Sequence, residues 1–558
     1  MNKRYVIGLD YGSDSARALM VDAATGEEID VEVAMYERWA KGMYSDASLS
    51  QFRHHPQDYI DALCRSVGAI TSRNPQAAQH VVAIAVDTTA STPCLVDREC
   101  CPLALKGEHW DNPDAMFVLW KDHTGERESE HITRLAAKQP INYTRYSGNC
   151  YSAESAWSKI YHLFATNEPL AREAYAALEL CDWIPAFLSG CRSTEEVRMS
   201  RCAAGSKWMW GEEWGGFPPA DFLAQLHPAL PEFATHLPRQ TYTCEKQAGT
   251  LVAEWAEKLG LPEGIVVSVG NVDAHSGGVG AGIAEGTMVL NLGTSACYMA
   301  VMNREKVGDK IIDGIFGQVE SSIIPGLVGF ETGMSAFGDV YAWFRRLLCW
   351  GINEVVAKSA IIDAKSKALL IAEAEERMLS ELSLAAAALP QRADAPIATD
   401  WFNGRRSPFP NSALTATIAG LNLSSSAPEV FYALVEATVF ATKYIIDHLV
   451  EGGVEVSRII AIGGIAQKSP LAMQLMADVT GRRIDISDCK QAGAMGAVIF
   501  AATAAGLYAT VEEAQRVLCA TTSRSYTPSA ERAEIPLLRY KRYRELGAFT
   551  EQMCNSQI

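Results

Sequence analysis

The chain of 558 residues contains no Gly-Lys dipeptide, so it holds no Walker A phosphate loop. Its fourteen cysteines include no C-x-x-C pair, and the closest two, Cys100 and Cys101, are adjacent. That is not zinc-site spacing. Positive charge is in short supply: 49 Lys and Arg stand against 66 Asp and Glu, a formal net charge of −17. Nucleic acid and anionic membrane are thereby excluded as main partners, because both need basic surfaces. No apolar run approaches the ~18 residues that span a bilayer. A core strand starting by residue 5 leaves no secretory signal peptide. These absences predict a cytoplasmic protein with reduced thiols.

The remaining composition is ordinary for a globular protein, 48% hydrophobic and 21% charged. The length allows two or more domains with their own cores. The densest stretch is residues 5–28, YVIGLDYGSDSARALMVDAATGEE. It reads as strand, tight turn, strand, turn. The turn Asp10-Tyr11-Gly12-Ser13-Asp14-Ser15 can aim N–H groups and hydroxyls into one concavity, which suits phosphate oxygens. Asp10 at the strand end suits a hydrated Mg²⁺. An ordinary polar hairpin would show the same residues. The pattern recurs, however: Leu9-Asp10-Tyr11-Gly12-Ser13 aligns with Leu290-Asn291-Leu292-Gly293-Thr294. Internal similarity of this kind is a fold-level signal. It predicts two related halves, each offering a phosphate-cradling hairpin to one nucleotide. Asp10 is matched by Asn291, so only the first hairpin is expected to help hold a cation.

In order along the chain, residues 28–36 read as a third strand, 36–52 as a long loop and 56–70 as a helix. Residues 81–86, VVAIAV, are a buried strand ending in Asp87-Thr88-Thr89-Ala90-Ser91-Thr92. Polar residues past such a strand are placed to meet a ligand, or they cap a helix. Trp120, Lys121, Asp122 and His123 follow an apolar run; a ring and charges together suit a polyol, and equally a surface loop with one buried Trp. Residues 152–164 and 171–188 read as helices. Lys207 lies among tryptophans, a setting for a snorkelling surface Lys or a hydroxyl contact. Residues 265–269 form a strand, and Asp273 at the strand-to-helix turn is a candidate general base or a helix cap. Glu331 sits among glycines, facing a cleft or capping the next helix. Residues 353–387 have helical composition and read as peripheral. Residues 454–486 form a βαβ unit in which Gly463 and Gly464 would let a flat ring approach the backbone. Residues 491–507 read as an Ala/Gly-rich helix close to the same ligand, and 530–549 as a terminal helix.

Paired hairpins plus a double-glycine turn are the parts of the actin-like ATPase clan. Within that clan the chain resembles the FGGY family of carbohydrate kinases, most of all the branch that phosphorylates L-ribulose. The resemblance spans nearly the whole chain: residues 8–28, QFRHHPQDYI (51–60), AMFVLWKDHTGERE (115–128), ELCDWIPAFLSG (179–190), FETGMSAFGDVYAWF (330–344), DWFNGRRSP (400–408) and AIGGIAQKS (461–469). It implies an α/β protein of two actin-like (ribonuclease H-like) ATPase domains flanking a catalytic cleft. Residues 1–282 would form the sugar-binding domain with the catalytic base at its end, and 283–550 the nucleotide-binding domain. It also implies ATP and Mg²⁺ as cofactors and a ketopentose as small-molecule substrate, in L-arabinose breakdown. Asp10 would lie at the Mg²⁺ site, Gly12 and Ser13 near the phosphates, and Gly293 and Thr294 around the γ- and β-phosphates. Gly463 and Gly464 would face adenosine, Ala90, Lys207, Asp273 and Glu331 the sugar, and Asp273 would be the general base. Two departures from the family pattern are Met334, where Gln is common, and Val272 before the acid, where an aromatic is common. The rival readings are a kinase of D-ribulose, xylulose or a polyol, and an actin- or chaperone-like ATPase. The oligomeric state is left open, a homodimer included.

Overall fold

The computed structural model describes residues 3–555. They divide into two compact units. The first comprises Met1–Glu285, Met299–Phe330 and Cys489–Thr521; the second comprises Gly286–Tyr298, Glu331–Asp488 and Thr522–Ile558.

The first sheet contains β1 (Tyr5–Tyr11), β2 (Ser15–Asp22), β3 (Glu28–Met35), β4 (Val81–Thr88), β5 (Gln247–Thr250) and β6 (Val266–Ser268), in the order β5-β6-β4-β1-β2-β3. A short β7 (Asn271–Val272) also pairs with β4. β1 and β2 are antiparallel, β1 and β4 parallel. Val6, Ile7 and Leu9 of β1 and Ala83 to Val86 of β4 are all buried. Both faces of these strands are covered, which is why they read as continuous apolar runs rather than alternating ones.

A second seven-stranded sheet repeats the scheme. Its strands are β8 (Thr287–Leu292), β9 (Ala296–Asn303), β10 (Gly317–Glu320), β11 (Leu327–Met334), β12 (Arg458–Ile462), β13 (Ile484–Ser487) and β14 (Thr522–Tyr526), ordered β10-β11-β9-β8-β12-β13-β14. β8, β12 and β13 are parallel. The orders β3-β2-β1-β4-β6 and β11-β9-β8-β12-β13 are the same five-strand plan, so the repeated hairpins occupy equivalent places.

Helices among those packed around the sheets are α1 (Pro56–Arg73), α2 (Arg201–Lys207), α3 (Asp273–Gly280), α4 (Ala427–Glu451), α5 (Ala492–Ala504) and α6 (Ala530–Asn555). α1 starts with Pro56 in its first turn, behind His55, whose ring accepts from the Gln57 N–H. Its buried Tyr59, Leu63, Val67 and Ile70 recur at helical spacing and face the first core. No helix among the described residues is long and apolar enough to cross a membrane.

Two sequence expectations differ from the structure. Residues 36–52 contain a short helix, Glu37–Ala40, and lead into a strand, Gln51–His54, rather than forming a plain loop. The helix expected over 171–188 is interrupted: strand Ala176–Glu179 separates helices Glu168–Glu173 and Leu180–Leu188. Ala, Leu and Glu favour helix, but this segment pairs antiparallel with Pro93–Val96, and that tertiary pairing outweighs propensity. Helix Ala364–Ala387 buries only Leu382 and Ala386 and is peripheral, as its composition predicts.

The second unit contains a buried ion pair. Arg539 of α6 is 2% exposed and Glu436 of α4 is fully buried. Arg539 Nε donates to Glu436 at 2.7 Å, and its other nitrogens reach the carbonyls of Arg392, Ala395 and Pro396 at 3.1, 3.0 and 2.6 Å. Burial pushes the Glu436 carboxyl up from the usual range, and Arg539 opposes that shift. Removing one partner leaves a dry, uncompensated charge. Glu436→Ala is therefore expected to lower the unfolding free energy of this unit by about 3–5 kcal/mol, read by chemical denaturation. A loss below about 1 kcal/mol would mean the guanidinium is satisfied by the carbonyls alone.

Candidate active site

In the first unit, strand register brings polar residues into one row at the sheet's end. Asp10 lies opposite Arg17 on β2 and opposite Asp87 on β4, and Asp87 lies opposite Asn271 on β7. Asp273 follows at once as the first residue of α3. Arg17 donates to Asp10 at 2.7 Å. Asp87 is fully buried, and neither of its oxygens meets a hydrogen-bond donor among the described residues. What it faces is the Asp10 carboxyl. Two carboxyls so placed share a proton or a cation.

The electrostatics agree. Burial pushes Asp10 above the usual carboxylate range, and the Arg17 charge opposes it. Asp87 is pushed well above that range by burial first, then by the negative charges of Asp10 and Asp273. Gly493, in the first turn of α5, completes the enclosure: a Cβ there would stand 3.0 Å from Asp10 Oδ2 and 3.4 Å from Asp87 Oδ1. The positive end of a helix thus lies against the carboxyls. α5 belongs to the first unit, packed on β1 and α3. A buried carboxylate with unmet oxygens beside the part-buried Asp10 carboxylate fits a hard divalent cation.

The turn between β1 and β2 is closed by the Gly12 N–H, which donates to the Ser15 carbonyl at 3.0 Å. Ser13 Oγ accepts from the Trp120 indole N–H at 2.9 Å. Lys121 lies over the Trp39 and Phe52 rings, 4.7 and 4.8 Å from their centroids. Asp122 is fully buried in an ion pair with Arg53 and also accepts from the Phe52 N–H at 2.7 Å. The Asp122 carboxylate is thus engaged within the protein, not turned to a polyol hydroxyl. Its motif and that of Arg53 are two sides of one buried contact.

Ala90 stands half-buried in the loop after β4, and Lys207 ends α2, 9% exposed, with its amine 5.9 Å from the Phe316 ring centroid. Lys207 is buried rather than snorkelling. Asp273 is half-buried, and its Oδ1 accepts the N–H of Ala274 at 2.6 Å.

The second unit holds the other expected residues. Gly293 and Thr294 form the β8–β9 turn, where the Gly293 N–H donates to the Ser295 carbonyl at 3.0 Å. The Gly293 and Thr294 carbonyls accept from the N–H groups of Gly338 and Phe337 at 3.1 and 2.9 Å, so a following helix start fixes the turn. Gly463, at the end of β12, has φ +92°, and a Cβ there would meet the Leu292 carbonyl at 2.5 Å. Gly464 is exposed with open space beside it. Glu331 is buried on β11. Met334 is also buried; its sulfur accepts from the Tyr298 hydroxyl at 3.2 Å. At the position equivalent to Asp10, Asn291 pairs with Ile462 rather than with an acid.

Sequence reasoning put Asp87 in a stretch that meets a ligand or caps a helix without pairing it with Asp10, and it missed Arg17 and Gly493. The available signal was Asp87 itself, an acid ending an otherwise apolar strand in register with Asp10.

Residues 5–280 match the N-terminal domain, and residues 288–505 the C-terminal domain, of the FGGY family of carbohydrate kinases. The ribulokinase of Vibrio parahaemolyticus is 44% identical over 99% of this chain and 97% of its own length. That of Shouchella clausii is 36% identical over 98% and 95%. A xylulose kinase structure from Rhodospirillum rubrum superposes with a TM-score of 0.78 at 20% identity, covering 99% of this chain and all of its own. A glycerol kinase from Plasmodium falciparum with ADP gives 0.74 at 16%, covering 99% and 98%. At such identities the structures speak for the fold alone, an actin-like pair of α/β domains. The two domain models cover nearly all of the chain between them, and with full-length relatives at this identity the chain belongs to the FGGY family of carbohydrate kinases.

Proposed function

We propose that the protein is a cytoplasmic ribulokinase, moving the γ-phosphoryl group of Mg·ATP to the terminal hydroxyl of L-ribulose to give L-ribulose 5-phosphate. The observation that carries this reading is the 44% identity to a ribulokinase along essentially the whole chain. In this reading residues 1–282 supply the base and most of the sugar contacts, and residues 283–550 hold the nucleotide and contribute Glu331.

Phosphoryl transfer asks for positioning and charge neutralisation more than covalent chemistry. Asp273 takes the proton of the attacking hydroxyl, its carboxylate oriented by the bond from the Ala274 N–H to Oδ1. Ala90, Lys207 and Glu331 join it in lining the ketose. Gly12 and Ser13, and Gly293 and Thr294, offer backbone and hydroxyl groups to the phosphates. Gly463 and Gly464 leave a flat surface for the adenosine ring. Asp10, with Asp87 beside it, would hold Mg²⁺, which when bound neutralises the β- and γ-phosphate oxygens.

The direct test is ADP release from Mg·ATP with and without L-ribulose. Turnover is expected to require the sugar, and Asp273→Asn to lower kcat by about 10²–10⁴-fold with ATP still bound. Sugar-independent turnover would revive the ATPase reading, and turnover with xylulose alone would remove L-ribulose as substrate.

The carboxyl pair makes a second prediction. A carboxyl whose folded-state pKa is raised stabilises the fold below its unfolded pKa, and this contribution is lost as pH rises through the folded value. Asp10 and Asp87 both shift upward. Without metal, the protein is therefore expected to lose thermal stability as pH rises from the acid range. Asp87→Asn should flatten that dependence, and Mg²⁺ should restore more stability at pH 8 than at pH 5.5. A wild type and an Asp87→Asn variant with the same slope would show that the pair is not linked to folding.

A further inference from the structure

Two buried charges outside the proposed catalytic set converge on the backbone that carries it. Glu179 ends strand Ala176–Glu179 and is fully buried. Its Oε1 accepts the Thr92 N–H, and its Oε2 accepts from the Ser91 hydroxyl at 3.1 Å and from the Trp208 indole N–H at 2.8 Å. Lys159, 1% exposed on helix Ala156–Thr166, donates to the Ser91 carbonyl and to the Leu119 carbonyl at 2.9 Å. Most of these partners adjoin a residue of the proposed site. Ser91 follows Ala90, Trp208 follows Lys207, and Leu119 precedes Trp120, whose indole holds Ser13. The end of α2 is further fixed by Tyr151, whose hydroxyl donates to the Lys207 carbonyl at 2.5 Å, and by the Trp157 indole, 2.7 Å from the Trp208 carbonyl.

Burying two charges is costly, and a well-packed apolar pair would serve stability as well or better. The arrangement has a geometric consequence that apolar residues cannot supply: it ties three separate chain segments at hydrogen-bond distance. We infer that Glu179, assisted by Lys159, is a positioning residue that fixes the Ala90 loop against the Lys207 helix end and so sets the fit of the ketose. This rests on the reading that Ala90 and Lys207 face the sugar.

The chemistry requires a carboxylate at position 179. Three donors converge on two oxygens. Glutamine offers one oxygen and one NH₂, so whichever way it lies, its NH₂ opposes either the Thr92 N–H or the Trp208 N–H. The Ser91 hydroxyl can rotate to accept, but an N–H cannot. Removing the indole N–H should therefore relieve the conflict.

The test measures KM for L-ribulose and for ATP, with melting temperature, in Glu179→Gln, Trp208→Phe and the double variant. A buried donor left unpaired predicts a KM for L-ribulose raised about tenfold or more in Glu179→Gln, with the KM for ATP unchanged. In the Trp208→Phe background the same change is expected to add less than about threefold, a non-additivity that marks a shared contact. A lower melting temperature with an unaltered KM for L-ribulose, or strictly multiplicative effects, overturns the inference. If Glu179→Gln yields no folded protein, Ser91→Ala takes its place. It removes one donor and is expected to raise only the sugar KM, about threefold; an unchanged sugar KM overturns the inference. Lys207→Ala separates the two levels: if it leaves the KM for L-ribulose unaltered, the sugar-site reading fails, not the clamp.

Discussion

Two carboxyls cannot both be ionised in a dry pocket without a compensating charge, and this constraint organises the first unit. Asp10 and Asp87 meet because β1 and β4 are parallel and in register. Arg17 supplies one positive charge from across the hairpin. Helix α5 brings its N-terminal end to the pair, and Gly493 is the residue that lets it come so near. Asp273 begins the next helix, close enough for its charge to act on Asp87. A cation at this point would relieve the repulsion and at the same time face the β1–β2 turn, where Gly12 and Ser13 lie. A strongly perturbed carboxyl pair thus coincides with the residues assigned to phosphate chemistry, as expected of a site built for charge neutralisation.

The second sheet repeats the architecture without repeating the charge. The same five-strand order and the same Gly-hydroxyl turn recur, with the turn closed in each by an N–H to carbonyl bond of 3.0 Å. Yet Asn291 and Ile462 occupy the positions of Asp10 and Asp87. One hairpin can therefore serve phosphate and metal, the other phosphate alone.

Much of this is legible in the sequence. The hairpin repeat, the asymmetry of Asp10 and Asn291, and the strand-to-helix turn before Asp273 all depend on local residue types, and local pattern survives folding. What cannot be read depends on register between distant strands. Asp87 reads equally as a ligand contact or a helix cap until β4 is set beside β1. Residues 491–507 read as a helix, but an Ala/Gly-rich helix has no face that declares its partner, so its packing on β1 and α3 is not legible. Asp122 looks free for a hydroxyl because its buried partner, Arg53, is 69 residues away. Glu179 is hidden differently: the segment before it favours helix by composition, and only pairing with Pro93–Val96 makes it a strand whose last residue turns inward.

Asp10, and not its counterpart in the second hairpin, is the residue expected to govern the metal. The measurement that tests this most directly is the Mg²⁺ concentration for half-maximal sugar-dependent turnover in Asp10→Asn and Asn291→Asp side by side. A requirement raised by about tenfold or more is expected in Asp10→Asn, as when a metal-site contact is removed, with little change in Asn291→Asp. Equal Mg²⁺ requirements in wild type and Asp10→Asn, or a shift in Asn291→Asp alone, would contradict it.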